Sequence, residues 1–162
     1  MERTPAQCSQ SELAAFAVAA AKGGEVEADD IVSGAKRAIR LLWISDASGN
    51  PCATAALKRP NLGYKNKVFG RAGLPDEAAR FDIELGYVFV DPAHRQGGYG
   101  TRLVRRTIQI AGACPVYATS RSDNNGMRRI LERLNFVIAG REYCSARDEA
   151  TRLRLFLREC ES

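Results

Sequence analysis

The sequence predicts a mixed α/β fold built on a single sheet, and two features of the chain carry this prediction. An apolar run, Ile83–Val90, leads through a glycine-rich turn into an amphipathic helix. Short apolar segments also alternate with helical patterns along the chain, and the last two such segments follow each other directly. Because 162 residues is the usual length of one domain, we expect a single domain over residues 1–162.

The stretch from Asp82 to Gly112 has the clearest pattern in the chain. Aromatic and β-branched residues fill Ile83–Val90, which predicts a strand buried on both faces. Proline cannot donate to a strand ladder, so Asp91-Pro92 ends the strand. A helix follows, because apolar and polar positions fall on opposite sides at helical spacing. The apolar positions are Leu103, Val104, Ile108 and Ala111, and the polar ones are Arg102, Arg105, Arg106 and Gln109.

The turn between this strand and this helix predicts an anion-binding site. Gly97, Gly98 and Gly100 allow the backbone to approach a ligand closely, and Arg95 adds a positive charge. Unpaired N–H groups and the helix dipole at a helix start both favour negative charge. We therefore expect a phosphate-bearing ligand; a turn that serves packing alone is the alternative.

Three phosphate-binding patterns compete for this turn. A Walker-type loop requires Gly-Lys-Ser/Thr, and no lysine follows Gly100. A dinucleotide fingerprint requires G-x-G-x-x-G, which Gly97, Gly98 and Gly100 do not supply. The remaining pattern, V-x-P-x-x-R-x-x-G-x-G over residues 90–100, resembles the acetyl-CoA pyrophosphate loop of the GCN5-related N-acetyltransferase (GNAT) family.

A second block, from Asn125 to Phe136, resembles the GNAT segment in which an asparagine near a helix start contacts CoA. By motif the resemblance covers residues 82–136, and by element order it covers the flanks. It implies the GNAT fold, a single mixed sheet whose central strand pair splays, with acetyl-CoA as co-substrate. The residues it implies are Phe89 and Val90 for the pantetheine and thioester, Arg95, Gln96, Gly97, Gly98, Tyr99, Gly100 and Thr101 for the pyrophosphate, and Asn125 for the CoA arm.

Acetyl transfer to an amine requires a general base that deprotonates the amine. Glu84 is the best candidate, because it stands six residues before Val90, the spacing of the catalytic glutamate in histone acetyltransferases that belong to this family. A carboxylate in an apolar strand is partly desolvated, as functional carboxylates commonly are. Strand alternation would direct Glu84 to the same side as Val88 and Val90. The alternative is a buried glutamate paired with an arginine.

The general acid is harder to assign. Many GNAT relatives use a tyrosine in the second block, at the position that Leu131 occupies here. Tyr143, Tyr117 and Ser120 are candidates to replace it, and we take Tyr143 as the candidate catalytic residue. The alternatives are that water protonates the thiolate or that the enzyme is slow. A half-buried aromatic that only packs is the alternative for each tyrosine. His94 is expected to be an exposed loop histidine.

The N-terminal half shows signals for two helices and a hairpin. Ser9 and Glu12 form a capping box before an apolar stripe of Leu13, Phe16, Ala17 and Ala20, and Gly23-Gly24 ends this helix. Asp29 or Asp30 caps a second helix that runs to about Ala38. A turn cluster over residues 46–51 then joins two strands, Ile39–Ser45 and Cys52–Leu57. Residues 1–7 are too polar and short to predict as a strand.

Two further regions complete the prediction. The segment Lys58–Arg80 is long for a hairpin loop, should contain a short helix around Tyr64–Arg71, and is proposed to cover the acceptor site. The alternative is a surface insertion without function. After the central helix we expect a strand over Pro115–Arg121, a helix that starts at residues 123–125, and two C-terminal strands. These last strands are Val137–Cys144 and Leu153–Arg158.

Composition argues against several other classes of protein. The chain has 24 Lys+Arg against 19 Asp+Glu, yet no basic run alternates with aromatics, so nucleic-acid binding is not expected. Scattered cysteines, no C-x-x-C and one histidine argue against a metal site. No apolar run is long enough to span a membrane. We expect most cysteines to be buried free thiols in a cytoplasmic protein. The cysteines are Cys8, Cys52, Cys114, Cys144 and Cys160.

The sequence therefore predicts an acetyltransferase that moves an acetyl group directly from acetyl-CoA to a primary amine. The acceptor would be a small molecule or a peptide, and pairing into a homodimer is common among relatives. The rival hypothesis is a non-catalytic acyl-CoA-binding or regulatory module of the same fold, which the replacement of the family tyrosine by Leu131 permits.

Overall fold

The computed structural model of the protein describes residues 1–24 and 26–159. The seven strands of these residues belong to one sheet, with helices between them, as the sequence predicted. The chain divides into two compact units. The N-terminal unit comprises Met1–Arg59 and Leu85–Ile110, and the C-terminal unit comprises Pro60–Glu84 and Ala111–Ser162.

The N-terminal unit has strand order β1-β2-β3-β4. Its elements are β1 (Glu2–Arg3), α1 (Gln10–Ala21), α2 (Ala28–Ala35), β2 (Ala38–Ser45) and β3 (Pro51–Lys58), with β4 (Ile83–Val90) from Leu85 onward and α4 (Tyr99–Ala111) up to Ile110. Strands β2 and β3 form the predicted antiparallel hairpin, in which Leu42 lies opposite Ala55. Asp46 fixes the turn, because its carboxylate accepts hydrogen bonds from the N–H groups of Ser48 and Asn50 at 2.9 and 3.0 Å.

Helix α1 begins with the predicted capping box. The Ser9 hydroxyl accepts from the Glu12 N–H at 3.2 Å, and the Glu12 carboxylate accepts from the Ser9 N–H at 2.8 Å. All four residues of the predicted apolar stripe are buried. Phe16 meets the rings of Trp43 and Tyr87 edge-on, each at 6.3 Å between centroids. The stripe therefore faces the sheet, where it forms one of the hydrophobic cores of this unit.

Three expectations for the flanks were wrong. Residues 2–3 do form a short strand, β1, because the hairpin strand β2 offers them a partner. Helix α2 begins after Glu27, so Asp29 and Asp30 lie in its first turn, where the helix dipole favours them, rather than at its cap. The helix also ends at Ala35, and Ala38 already belongs to β2.

Most cysteines of the described residues are not buried, contrary to expectation. Cys52 is buried, Cys8 and Cys144 are half-buried, and Cys114 is exposed. Cys160 lies outside the described residues. The described thiols are free.

The C-terminal unit has strand order β5-β7-β6, and β7 runs antiparallel to both neighbours. Its elements are α3 (Leu62–Arg71), β5 (Val116–Arg121), α5 (Asn125–Arg133), β6 (Val137–Cys144) and β7 (Arg152–Arg158). Helix α3 lies where the sequence predicted a short helix, and a 3-10 turn, Pro75–Arg80, follows it. The core contains Phe69, whose ring lies 5.8 Å from that of Phe81 and 5.2 Å from that of Tyr117.

Candidate active site

The glycine-rich loop follows β4 directly. Asp91 starts it by donating its N–H to the Cys52 carbonyl at 2.8 Å and by accepting from the Ala93 N–H at 3.0 Å. A 3-10 turn, Pro92–Gly97, leads to Gly98, whose φ of 67° lies in the left-handed region. This conformation favours glycine, so Gly98 is required by the backbone of the loop.

The loop ends in the start of α4. The first hydrogen bond of this helix runs from the Arg102 N–H to the Gly98 carbonyl at 3.1 Å. The N–H groups of Tyr99, Gly100 and Thr101 precede it and so have no acceptor within the helix. Three adjacent N–H groups at the positive end of a 13-residue helix form a site suited to phosphate oxygens.

Arg95 lies on the exposed surface of the same loop. Its Nε atom lies 3.4 Å from the carbonyl oxygen of Val90, the last residue of β4. Within the described residues this is the one hydrogen bond that Arg95 makes, which leaves its two terminal nitrogens able to bind an oxyanion. Gln96, Gly97 and Gly98 are exposed as well.

His94 is half-buried, not the exposed loop histidine that the sequence suggested. Its ring stacks on that of Tyr99, with 6.3 Å between centroids and 24° between planes. Gly97 lies against the Tyr99 ring, because a Cβ atom on Gly97 would be 3.1 Å from that ring. The loop is therefore packed onto the first turn of α4 through aromatic contacts, which keeps its N–H groups in place.

Strand β4 is not regular along its length. Tyr87 has a φ of 54°, which is uncommon for any residue with a side chain. A Cβ atom on Gly86 would point at the Lys58 side chain, and the Lys58 ammonium lies 4.2 Å from the centre of the Tyr87 ring. Gly86 and Tyr87 thus face the same side, whereas Val88 and Val90 pack on a cluster that contains Leu42, Ala53, Ala55 and Leu103.

This break in alternation corrects one step of the sequence argument. Residues at positions 84, 86, 88 and 90 would share a side only in an uninterrupted strand. Because the side changes between Gly86 and Val88, the uninterrupted alternation that the sequence argument assumed does not hold across Tyr87. Phe89 is buried and Val90 is half-buried at the end of the strand.

Glu84 lies in a buried cluster of tyrosines within the C-terminal unit. It is 3% exposed, and its Oε1 atom accepts a 3.2 Å hydrogen bond from the Tyr64 hydroxyl. Tyr117 and Tyr143 are 0% and 7% exposed. The charge of Glu84 acts on all three phenols. The structure therefore brings together Glu84 and Tyr143, the two residues proposed for catalysis, along with Tyr117.

Burial and the Glu84 carboxylate both disfavour ionised phenols in this cluster. Burial, and then the charge of Glu84, raise the pKa of Tyr143 to about 12, against a smaller opposite effect of Arg71. The same two causes, in the same order, raise the pKa values of Tyr64 and Tyr117. All three tyrosines keep their protons at neutral pH and can act as hydrogen-bond donors.

Three further residues singled out in the sequence, Ser120, Leu131 and Asn125, are on β5 and α5. Ser120 is three residues from Tyr117 on β5, so alternation turns the two side chains to opposite faces of the sheet. Leu131 is fully buried in α5 and supplies only packing. Asn125 is exposed at the first position of α5, which Asn124 caps by accepting from the Met127 N–H at 3.0 Å.

The structure also bears on metal binding and on membrane crossing. Among residues 1–24 and 26–159, no group of three or more His, Cys, Asp or Glu side chains is arranged to hold a metal ion. In the same part of the chain, no helix combines the length and the apolar character that crossing a bilayer needs.

Solved structures of acyltransferases have the same fold as this chain. An acyl-CoA N-acyltransferase from Pseudomonas aeruginosa is 18% identical, with a TM-score of 0.69 over 98% of this chain and 97% of that chain. YncA from Salmonella typhimurium, solved with its cofactor acetyl-CoA, is 18% identical, with a TM-score of 0.62 over 100% and 94%. The ribosomal-protein-S18-alanine N-acetyltransferase from Escherichia coli is 14% identical, with a TM-score of 0.66 over 100% and 94%.

The family itself follows from the sequence match. Residues 27–136 match the model of the Acetyltransferase (GNAT) family, and this is more than half of the chain. The protein therefore belongs to the GNAT family of acetyltransferases, which confirms the resemblance seen in the loop and in the second block. No curated protein matched the chain.

Proposed function

We propose that this protein transfers an acetyl group from acetyl-CoA directly to a primary amine, with Glu84 as the general base. One observation carries the proposal: a single strand, β4, has the buried Glu84 carboxylate near its start and leads at its other end into the Arg95–Thr101 loop. Membership of the GNAT family supplies the reaction class. The solved relative with acetyl-CoA supports the same donor.

The loop residues would hold the acyl donor. The N–H groups of residues 96–101 and the Arg95 guanidinium would bind the pyrophosphate, because they combine a helix dipole with a positive side chain. The backbone of Phe89 and Val90 would hold the pantetheine and thioester, and Asn125 would contact the CoA arm. These roles follow the family pattern, and the N–H groups at the start of α4, which have no acceptor within the helix, and the exposed Arg95 support them here.

The proposed reaction conserves atoms and protons. Glu84 takes a proton from the amine, the amine nitrogen attacks the thioester carbonyl carbon, and a C–N bond forms as the C–S bond breaks. The products are an N-acetylated amine and the CoA thiolate; the thiolate takes a proton from solvent to become CoA, and Glu84 releases its proton to solvent, which restores the carboxylate. A buried carboxylate beside the start of the strand is the type of group that such a base requires.

Tyr143 would act on the leaving thiolate as a hydrogen-bond donor. Full proton transfer from a phenol with a pKa of about 12 to a thiolate of a thiol with a pKa of about 8.5 is uphill by about 5 kcal/mol. A hydrogen bond to the thiolate has no such cost. The proton that completes the thiol can therefore come from solvent, with Tyr143 stabilising the charge before it arrives.

The acceptor would be the amine of a small molecule or of a peptide. The E. coli relative that matches this chain acts on the alanine of ribosomal protein S18, which makes a peptide N-terminus one natural probe. We propose that the Lys58–Arg80 segment covers the acceptor site, because its residue Tyr64 contacts Glu84. The non-catalytic alternative has one observation in its favour, the leucine at position 131.

The experiment that tests this function measures acetylated product by mass spectrometry. A thiol reagent would be less suitable, because the exposed Cys114 would react with it. The probes are acetyl-CoA with spermidine, an alanine-initiated peptide and a lysine-containing peptide, and the matched variant is Glu84→Gln. We expect product with at least one amine and a hundredfold or greater loss of turnover in Glu84→Gln with acetyl-CoA binding retained. Tight acetyl-CoA binding without product from any amine would favour the non-catalytic module instead.

A further inference from the structure

Two neighbouring residues of α3 contact two carboxylates at the start of β4. The Tyr64 hydroxyl donates to Glu84 at 3.2 Å, and the Lys65 ammonium lies 2.7 Å from Asp82 Oδ1. The Lys65 side chain is 7% exposed, whereas that of Asp82 is 83% exposed. These contacts lie within the C-terminal unit and join the helix to the residue before β4 and to the second residue of β4.

The first turn of α3 is fixed by its cap. The side chain of Asn61 accepts from the N–H groups of Gly63 and Tyr64 at 2.8 and 3.4 Å. Val68 and Phe69 are buried on the same helix. The backbone of Tyr64 is therefore held by a capped and packed helix, so its hydroxyl reaches Glu84 from a defined position.

Tyr64 differs from the other two phenols near Glu84. It keeps 44% of its surface exposed, although its hydroxyl contacts a carboxylate that is 3% exposed. Burial and the charge of Glu84 raise the pKa of Tyr64, so the phenol keeps its proton and is the donor of this bond. Tyr64 therefore lies between Glu84 and solvent within this unit, with a polar end on the carboxylate and a ring that solvent reaches.

We propose that Tyr64 is a positioning residue that holds the Glu84 carboxylate in the orientation needed to take the proton from the acceptor amine. This role rests on the proposed acetyltransferase function. A glutamate side chain has three rotatable bonds, and a base that is fixed before substrate arrives avoids the cost of ordering it during the reaction. A hydrogen bond to one carboxylate oxygen supplies that restraint from an element outside β4.

The test removes the hydroxyl alone. Tyr64→Phe should lower kcat about tenfold and leave the KM for acetyl-CoA unchanged, because the ring and the CoA loop are kept. In a Glu84→Gln background the same change should have less than a twofold effect, since its action depends on the carboxylate. Equal losses in both backgrounds would overturn the proposal.

A matched control separates positioning from simple docking of the helix. Asp82→Asn weakens the neighbouring contact to Lys65 and leaves the Tyr64 hydroxyl in place. We expect this variant to melt at a lower temperature but to keep kcat within about twofold. If Asp82→Asn lowers kcat as much as Tyr64→Phe does, Tyr64 only holds the helix in place and the proposal fails.

The wild-type protein separates this proposal from the function on which it rests. The assay uses acetyl-CoA with spermidine, the alanine-initiated peptide and the lysine-containing peptide. No acetylated product from the unchanged protein would contradict the proposed function, and the role of Tyr64 with it. Product at equal rates from the wild type and from Tyr64→Phe would contradict the role of Tyr64 alone.

Discussion

The hydroxyl of Thr54 donates a 2.8 Å hydrogen bond to the backbone carbonyl of Tyr87, the residue at which β4 loses its regular alternation. Thr54 is fully buried on β3. An irregular strand residue leaves backbone groups without their usual ladder partners, and a buried carbonyl without a donor is costly. The threonine hydroxyl supplies a donor to the carbonyl at this position, so the irregularity in β4 is supported by its neighbour on β3.

Replacing Thr54 by valine should therefore destabilise the protein. Thr54→Val keeps the shape of the side chain but leaves the Tyr87 carbonyl without this donor, at a cost of about 1–3 kcal/mol. Urea unfolding measures the difference. Thr54→Ser, which keeps the hydroxyl and loses a methyl group, should cost less; a serine variant as unstable as the valine variant would show that packing, not the hydrogen bond, matters at this position.

Replacing either of two glycines with equally open surroundings by alanine should change the free energy of unfolding, but in opposite directions. A Cβ atom added to Gly98 or to Gly70 would meet no atom within 4 Å, but Gly98 has a φ of 67° and Gly70 lies within α3. Gly98→Ala should lower the free energy of unfolding by about 1–2 kcal/mol. Gly70→Ala should raise it by up to about 1 kcal/mol. Unfolding curves that shift the same way would contradict the left-handed backbone at Gly98.

Arg95 should contribute directly to binding of acetyl-CoA. Arg95→Ala removes a charge beside the helix start, so we expect the affinity for acetyl-CoA to fall about tenfold and to depend less on salt. Arg105→Ala is the control, because it removes the same charge from the exposed side of α4. Calorimetric titrations of both variants at two salt concentrations make the comparison, and equal losses would mean that only net charge matters.

The raised pKa of Tyr143 should make the free energy of unfolding fall as the pH rises above 10. A tyrosine in the unfolded chain ionises near pH 10, and burial with Glu84 raises the folded pKa of Tyr143 to about 12. Its contribution to stability is thus complete below pH 10 and is lost as pH rises to 12. Each pH unit in this window should cost about 1.4 kcal/mol.

Urea unfolding at pH 9, 10 and 11 measures this effect. In Tyr143→Phe the free energy of unfolding should fall less steeply between pH 10 and 11 than in the wild type. Parallel pH dependences would show that Tyr143 is not shielded as the structure indicates.

Features with a local signal could be predicted from the sequence. The capping box of Ser9 and Glu12 could be predicted because both partners lie within one helical turn, and the structure confirms it. The bounds of the strand Ile83–Val90 could be predicted because an apolar run and a proline define them, and the structure confirms these bounds. The family could be predicted because the loop pattern and the second block are each a contiguous stretch of chain, and the family match over residues 27–136 confirms it.

Features that depend on distant contacts could not be predicted. The irregularity at Tyr87 has no compositional signal, and its support comes from Thr54, 33 residues away. The contact of Tyr64 with Glu84 spans 20 residues and depends on how α3 docks. Strand β1 has two residues and exists through pairing with Leu41 and Leu42, so no pattern within residues 1–7 could indicate it.

The most direct test of acetyl-CoA as the donor is isothermal titration of the protein with acetyl-CoA, beside the Arg95→Ala/Gly98→Val double variant. The double variant removes the loop charge and disturbs its left-handed residue together. We expect saturable binding by the wild type that the double variant loses, while both proteins give the same far-UV circular dichroism. No binding by the wild type at millimolar acetyl-CoA would contradict the account, because the loop would then be a structural turn.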